Sequence, residues 1–246
     1  MYGVSGMEPS FPEHFLRSPK MKSTPISQDG ILHLARLCSS AYQAPGSFKT
    51  DWGTRFQTVK YLDEGGAQVY ICQSPIALII VFRGSDAAGD WIDSLAAAPT
   101  SPRPLSLMRV HNGFQAHLSS VKTKLVNTII RYNRSGNPIY ICGHSLGGAA
   151  ATILAEYVDA FDCMVNLVTF GSPRVGNWAF ARRFRKFRGD SLRVVTQGDL
   201  IPHTPPAPLF LHHYGPKRVL KDRPWWKLWG AKESHDMSTY LRLLGD

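Results

Sequence analysis

The chain has no long apolar run. Its longest stretch of bulky apolar residues is Ala77 to Phe82, far short of the roughly 20 that carry a helix across a bilayer. The segment Met1 to Lys20 holds Pro9, Pro12, Glu13 and Pro19 and no hydrophobic block of the secretory kind. The expectation is therefore no N-terminal signal peptide and no transmembrane segment, with a cytoplasmic location or export by a signal-independent route. Cysteine is scarce. Cys38, Cys72, Cys142 and Cys163 are too few and too scattered for a disulfide framework, and no two stand at C-x-x-C spacing. Four free, mostly buried thiols are expected, with no metal site and no cofactor. Acidic residues are in deficit, 18 against 28 Lys and Arg, leaving a net charge of +10. Such an excess suits nucleic acid, an anionic membrane surface or plain solubility. No nucleic-acid-binding motif accompanies it, so nucleic acid is not an expected partner.

With 43% hydrophobic and 19% charged residues over 246 positions, one sizeable core can form. Residues 1–26 are rich in Pro and Ser without a period and read as a loosely ordered arm. Residues 27–246 show no linker and no internal repeat and read as a single domain. Ser27 reads as an N-cap, and Ile31, Leu34, Cys38 and Tyr42 form a helix face that Pro45-Gly46 stops. Extended segments follow at Phe56–Leu62, Ala67–Gln73 and Ile76–Phe82, the last apolar throughout, as in a strand covered on both faces. Phe114, Leu118, Val121, Leu125 and Ile129 recur at helical spacing. Strands then alternate with helices: Ile139–Cys142, a helix over Ala149–Tyr157, Val165–Phe170, a helix face of Phe180, Phe184 and Phe187, Leu192–Thr196, and Leu209–Tyr214. That alternation predicts an α/β fold with a mostly parallel central sheet flanked by helices.

Gly143-His144-Ser145-Leu146-Gly147 fits G-x-S-x-G. Alone the pattern is weak, but a buried-type strand precedes it and a small-residue helix follows. That is the setting of a nucleophile held on a sharp strand-to-helix turn. Side chains at Gly143 and Gly147 would strike the neighbouring strand or helix. Ser145 is then exposed at the carboxyl end of the sheet, where a helix N-terminus favours a developing anion. A Ser that merely caps a helix would need no Gly on both flanks.

Taken together, Gly143 to Gly148, Val81-Phe82-Arg83-Gly84-Ser85, Trp91-Ile92-Asp93-Ser94-Leu95, Val110-His111-Asn112-Gly113-Phe114 and Phe170 to Asn177 resemble class 3 lipases. Those are fungal-type triacylglycerol lipases of the α/β-hydrolase fold. The resemblance runs from about Ile26 to Leu244 and implies acyl-ester hydrolysis, with triacylglycerol the commonest substrate.

A Ser hydroxyl needs a base. In this fold the chain order is Ser, acid, His, which leaves His203, His212, His213 and His235. His203 lies on the same loop as the best acid candidate. His212 and His213 sit in an expected strand, where one of an adjacent pair points away. His235 lies in a polar loop, Lys232 to Asp236, and resembles the family's catalytic His ahead of a final helix. A histidine base also implies that activity falls in acid, since unperturbed imidazole titrates near pH 6.5.

The acid is expected at the carboxyl end of the strand Leu192–Thr196. Asp199 is there, resembles the family's acid turn, and would fix the imidazole tautomer. Asp190 lies at the wrong end, Asp236 is adjacent to His235, and Asp222 remains a competitor. Two donors must meet the oxyanion. The N–H of Leu146 is one by the geometry of the turn. No His-Gly-Gly-Gly run is present; the resemblance implies Ser85 as the second donor.

Asp86 to Leu95 stands where the family's lid would be. It begins Asp86-Ala87-Ala88-Gly89-Asp90, which argues against a strongly apolar lid face and sharp interfacial activation. Arg182, Arg183, Arg185, Lys186 and Arg188 cluster beside Phe180, Phe184 and Phe187, either as a solvated basic face or as a contact for anionic lipid. Trp225, Trp226 and Trp229 suit core packing, an acyl pocket wall or a lipid interface. The expected partner is an acyl-ester lipid substrate, with transient contact to a lipid interface or anionic membrane surface. The alternatives are a phospholipase A1-type enzyme, a short-chain carboxylesterase, or a lipid-binding protein without catalysis.

Overall fold

The structure is a computed structural model that describes residues 26–85, 99–100, 107–133, 135–161, 163–205, 215–221 and 231–246. Seven strands make the main sheet, in the order β1-β2-β3-β6-β7-β8-β9. β1 (Thr58–Glu64), β2 (Ala67–Gln73) and β3 (Leu78–Phe82) run antiparallel. From β3 through β6 (Ile139–His144), β7 (Val165–Phe170), β8 (Ser191–Thr196) and β9 (Lys217–Leu220) every pair is parallel. The β1–β2 turn uses Gly65 and Gly66 at φ 57° and 82°. Only a residue pair tolerant of positive φ matches the twist of a two-residue hairpin. A small separate ribbon pairs β4 (Pro99–Thr100) with β5 (Val110–His111).

Successive side chains of a strand face opposite sides, so an all-apolar strand feeds two cores. In β3, Leu78, Ile80 and Phe82 join the core under α3 (Asn112–Asn133) and α4 (Leu146–Asp159). Ile79 and Val81 join the opposite core under α1 (Gln28–Ser40), α2 (Pro45–Trp52) and α7 (Met237–Leu244). Ile139 and Ile141 of β6 divide from Cys142 in the same way, as do Val165 and Leu167 of β7 from Val168 and Phe170. This is the α/β-hydrolase arrangement, a mostly parallel sheet between two helical layers, in one domain. None of the described helices is long and apolar enough to cross a membrane.

Several expectations are corrected. Pro45-Gly46 does not simply end the first helix; Pro45 sits at the first position of α2, where its missing N–H costs nothing and its fixed φ is already helical. The third extended segment starts at Leu78, and Ile76 is left 74% exposed in the preceding turn. The seventh strand of the sheet is Lys217–Leu220, missed in the sequence because its exposed, basic edge carries no apolar run. The strand expected at Leu209–Tyr214 lies outside the described residues. So do the arm up to Pro25, the lid segment from Asp86 to Leu95, the cluster of Trp225, Trp226 and Trp229, and the candidates His212, His213 and Asp222. Cys38, Cys72, Cys142 and Cys163 are all free and buried, as expected. Ser27 does cap α1, accepting from the Gly30 N–H at 3.1 Å.

Candidate active site

The parallel strands end on one edge, and the candidate residues gather there. β6 delivers Ser145 at its carboxyl end. Ser145 has φ 54° and ψ −127°, the single described non-glycine residue at positive φ. Such a conformation costs of order 1–3 kcal/mol and persists only where packing enforces it. The packing is visible at both flanks. A Cβ on Gly143 would overlap the Gly147 carbonyl group, and one on Gly147 would lie 2.5 Å from the Phe82 carbonyl oxygen and 2.6 Å from that of Arg83. The Ser145 N–H donates to the Phe170 carbonyl at 3.0 Å, tying the turn to β7. The α4 helix starts at Leu146, so the Leu146 N–H has no intrahelical acceptor.

Asp199 follows the end of β8 and is fully buried, and its carboxylate is surrounded by donors. Its Oδ2 accepts from His235 Nδ1 at 2.8 Å and from the Tyr240 hydroxyl at 2.6 Å; its Oδ1 accepts from the Ile201 N–H at 2.9 Å. Burial and the Asp199 charge push the Tyr240 hydroxyl well above the usual phenol range, so it stays a donor. Because Nδ1 donates to a carboxylate, neutral His235 carries its free lone pair on Nε2. That Nε2 and Ser145 Oγ are both buried and without a hydrogen-bond partner among the described residues. Catalytic hydrogen bonds of this type commonly form only once substrate is present.

His235 ends the short helix α6 (Ala231–His235), not a loop. One helical turn of Lys, Glu, Ser and His offers no apolar period to read. Thr196 Oγ1 anchors it by donating to the Ser234 carbonyl at 2.5 Å. His203 is exposed in the turn after Asp199, and Asp190 precedes β8 at the far end of the sheet. Ser85 follows β3 on the loop that begins Arg83-Gly84. A Cβ on Gly84 would lie 3.2 Å from Ser145 Cβ and 2.7 Å from the His144 carbonyl oxygen. The loop that carries Ser85 is therefore packed directly against the nucleophile.

Three participants escaped the sequence. Gly171, at φ 56°, lies flush against the acid–base pair, where a Cβ would sit 2.7 Å from Asp199 Oδ2 and 2.9 Å from the His235 ring. Tyr240, five residues after His235, orients the acid. Tyr42 orients His144: its hydroxyl lies 2.7 Å from Nδ1. His144 Nε2 in turn donates to the His235 backbone carbonyl at 2.8 Å, since a carbonyl only accepts. Burial, reinforced by the neighbouring His235, holds His144 well below the usual imidazole range, so His144 is neutral and accepts from Tyr42.

This neutrality has a stability consequence. Between the depressed folded pKa and the unfolded value near 6.5, the unfolded chain binds the extra proton. The contribution is complete above about pH 6.5 and is lost as pH falls below it, by up to about 1.4 kcal/mol per unit. Burial lowers His117 too, with the same sign. Thermal melts from pH 7 down to pH 5 should fall less steeply in His144→Asn than in the wild type; equal slopes would refute the assignment.

The family model described as lipase (class 3) matches residues 79–209, more than half of the chain. The chain belongs to this family. A lipase of Rhizomucor miehei is 34% identical over 154 residues, covering 59% of this chain and 42% of that protein. A chloroplastic phospholipase A(1) of Arabidopsis thaliana is 29% identical over 149 residues, covering 52% of this chain and 33% of that one. The chain thus spans less than half the length of these curated relatives. A solved triacylglycerol lipase, in which a serine protease triad forms the catalytic centre, superposes with a TM-score of 0.72 at 27% identity. The superposition covers 82% of this chain and 83% of that one. The class 3 lipase fold accounts for the strand ends that bring Ser145, Asp199 and His235 to one edge.

Proposed function

We propose that the protein is a serine carboxylic-ester hydrolase of the lipase type, acting on acylglycerols. The observation that carries this is the buried acid–base pair, His235 Nδ1 on Asp199 Oδ2 at 2.8 Å, beside a serine held at φ 54°. Ser145 Oγ attacks the ester carbonyl while His235 Nε2 takes its proton. Asp199 keeps the imidazole in the required tautomer and stabilises the imidazolium. The oxyanion is met by the Leu146 N–H and by Ser85. His235 then gives its proton to the leaving alcohol, forming an acyl-enzyme that water hydrolyses by the same steps reversed. No step requires a metal or organic cofactor.

A second reading is a phospholipase A1-type enzyme, supported by the net charge of +10 and the similarity to a phospholipase A(1). A panel of tributyrin, longer triacylglycerols, p-nitrophenyl butyrate and anionic phospholipids separates the two. The acylglycerol reading expects tributyrin to turn over faster than phosphatidylglycerol. The reverse order would establish the phospholipase. A folded protein inert on the whole panel would leave a lipid-binding protein without catalysis.

A further inference from the structure

The basic cluster resolves into two kinds of residue. α5 (Trp178–Arg183) and the single 3-10 turn Phe184–Lys186 that continues it form one amphipathic element. Phe180 and Phe184 are buried, and Phe187 packs against the same core. Arg183 turns inward onto two buried carboxylates, while Arg188 stays exposed and its guanidinium reaches the Asp159 backbone carbonyl at 3.1 Å. Arg183 Nη2 reaches Asp159 Oδ2 at 2.9 Å and its Nε reaches Glu156 Oε1 at 3.5 Å; the Arg188 N–H donates to Asp159 Oδ1 at 3.0 Å. The Arg183 charge is thereby neutralised within the fold.

The outward face is different. Trp178, Arg182, Arg185 and Lys186 recur at helical spacing and are all exposed. Trp178 is 54% exposed, and the Arg182 guanidinium lies over its ring, 4.8 Å from the centroid. Among the described residues no carboxylate pairs with Arg182, Arg185 or Lys186. Leu107, 83% exposed, is held beside the start of α5, because Asn177 at its N-cap donates from Nδ2 to the Leu107 carbonyl at 3.0 Å. Asn177 Oδ1 also accepts from the Arg109 N–H at 3.1 Å. These bonds tie the backbone at Leu107 and Arg109 to the start of α5. Residues 171–177 lead from the strand end beside Ser145 to Trp178, and the element then runs back along the fold, where Arg183 and the Arg188 N–H meet Asp159 at the far end of α4.

We propose that this face, Trp178 with Arg182, Arg185, Lys186 and Leu107, docks the protein on membranes containing anionic phospholipid. An indole and a leucine enter the headgroup zone, where amphipathic rings are favoured. The cations meet lipid phosphates, each strengthening binding roughly fivefold near such a surface. Nucleic acid would use the charge but leaves the exposed indole and leucine without a role. The proposal rests on the lipid-ester reading for its choice of a lipid partner, but binding is measured apart from turnover.

The test is vesicle sedimentation with the Ser145→Ala variant, so that lipid is not consumed. Phosphatidylcholine vesicles are compared with ones carrying about a third phosphatidylglycerol. The anionic vesicles should bind far better, and binding should weaken as salt rises toward 0.5 M, where charges are screened beyond roughly 4–5 Å. Adding Arg182→Gln, Arg185→Gln and Lys186→Gln should lower partitioning about a hundredfold, and Trp178→Ser alone should lower it measurably. The same substitutions in the active chain should leave soluble p-nitrophenyl butyrate hydrolysis unchanged, which also shows the fold intact. Equal binding to both vesicle types, no salt dependence in the unmodified patch, unaltered partitioning of the substituted chain, or binding to a DNA duplex without vesicle partitioning would each overturn the proposal. Absence of ester hydrolysis in the wild type would instead count against the hydrolase reading and leave the docking result standing.

Discussion

Ser145→Ala is expected to lose p-nitrophenyl butyrate hydrolysis by about a millionfold in kcat, the scale seen when a triad nucleophile is removed. No other described side chain is placed to substitute. Ser145 alone stands on the strained turn between β6 and α4, and the substitution leaves that turn's packing untouched: Gly143 and Gly147 still press against their neighbours. The variant should therefore fold, and its melting temperature should match or slightly exceed the wild type's, because a buried hydroxyl without a partner costs stability. Loss of activity with intact folding is the signature of a nucleophile. A variant retaining even a hundredth of the wild-type rate would sink the assignment.

Asp199→Asn should reduce kcat by about ten-thousandfold with the architecture preserved. The reason is the proton on the imidazole. The carboxylate accepts from His235 Nδ1, from Tyr240 and from the Ile201 N–H. Tyr240 donates to Oδ2, so an amide avoids donor-to-donor contact there by placing its NH2 elsewhere, and the Ile201 N–H opposes the other position. With its oxygen toward His235 the amide NH2 faces the Ile201 N–H; with its NH2 toward His235, Nδ1 must accept and the proton sits on Nε2, and in neither case does a negative charge remain to stabilise the imidazolium. Stability should fall as well, since hydrogen bonds to a charged group contribute about 1.5–3 kcal/mol each. Circular dichroism at pH 8 separates the two effects. A folded Asp199→Asn enzyme with near-normal kcat would show that another carboxylate serves the base.

Much of this was legible in the chain. The apolar run ending at Phe82 read as a doubly covered strand, correct from Leu78 on, and the alternation after Phe114 pointed to the parallel half of the sheet. The Gly-x-Ser-x-Gly turn was readable because its glycines answer a steric demand set by adjacent residues. Asp199 and His235 were readable because chain order and strand ends constrain them. Tyr42, Gly171 and Tyr240 were not, since each acts across a long sequence separation: Tyr42 meets His144 from 102 residues away, and Tyr240 meets Asp199 from 41. Nothing local in a helix such as α1 announces that its end will orient a distant imidazole. Strand Lys217–Leu220 was missed for a different reason. An edge strand is stabilised by its backbone ladder with β8, and its exposed basic side chains carry no apolar signature.

The basic cluster shows the same limit. Five cations lie between Arg182 and Arg188, but only the fold separates Arg183, which neutralises Glu156 and Asp159, from the outward-facing Arg182, Arg185 and Lys186. The sequence could count the charge. It could not say which part of it was already spent inside the protein.

The most direct test of the account is covalent. Treatment of the folded wild-type protein with a fluorophosphonate, followed by intact mass and peptide mass spectrometry, should give one adduct located on Ser145, none in Ser145→Ala, and slow labelling in His235→Ala. A folded protein that takes no adduct, or takes it on another residue to the same extent in Ser145→Ala, would contradict the claim that Ser145, Asp199 and His235 work as one catalytic unit.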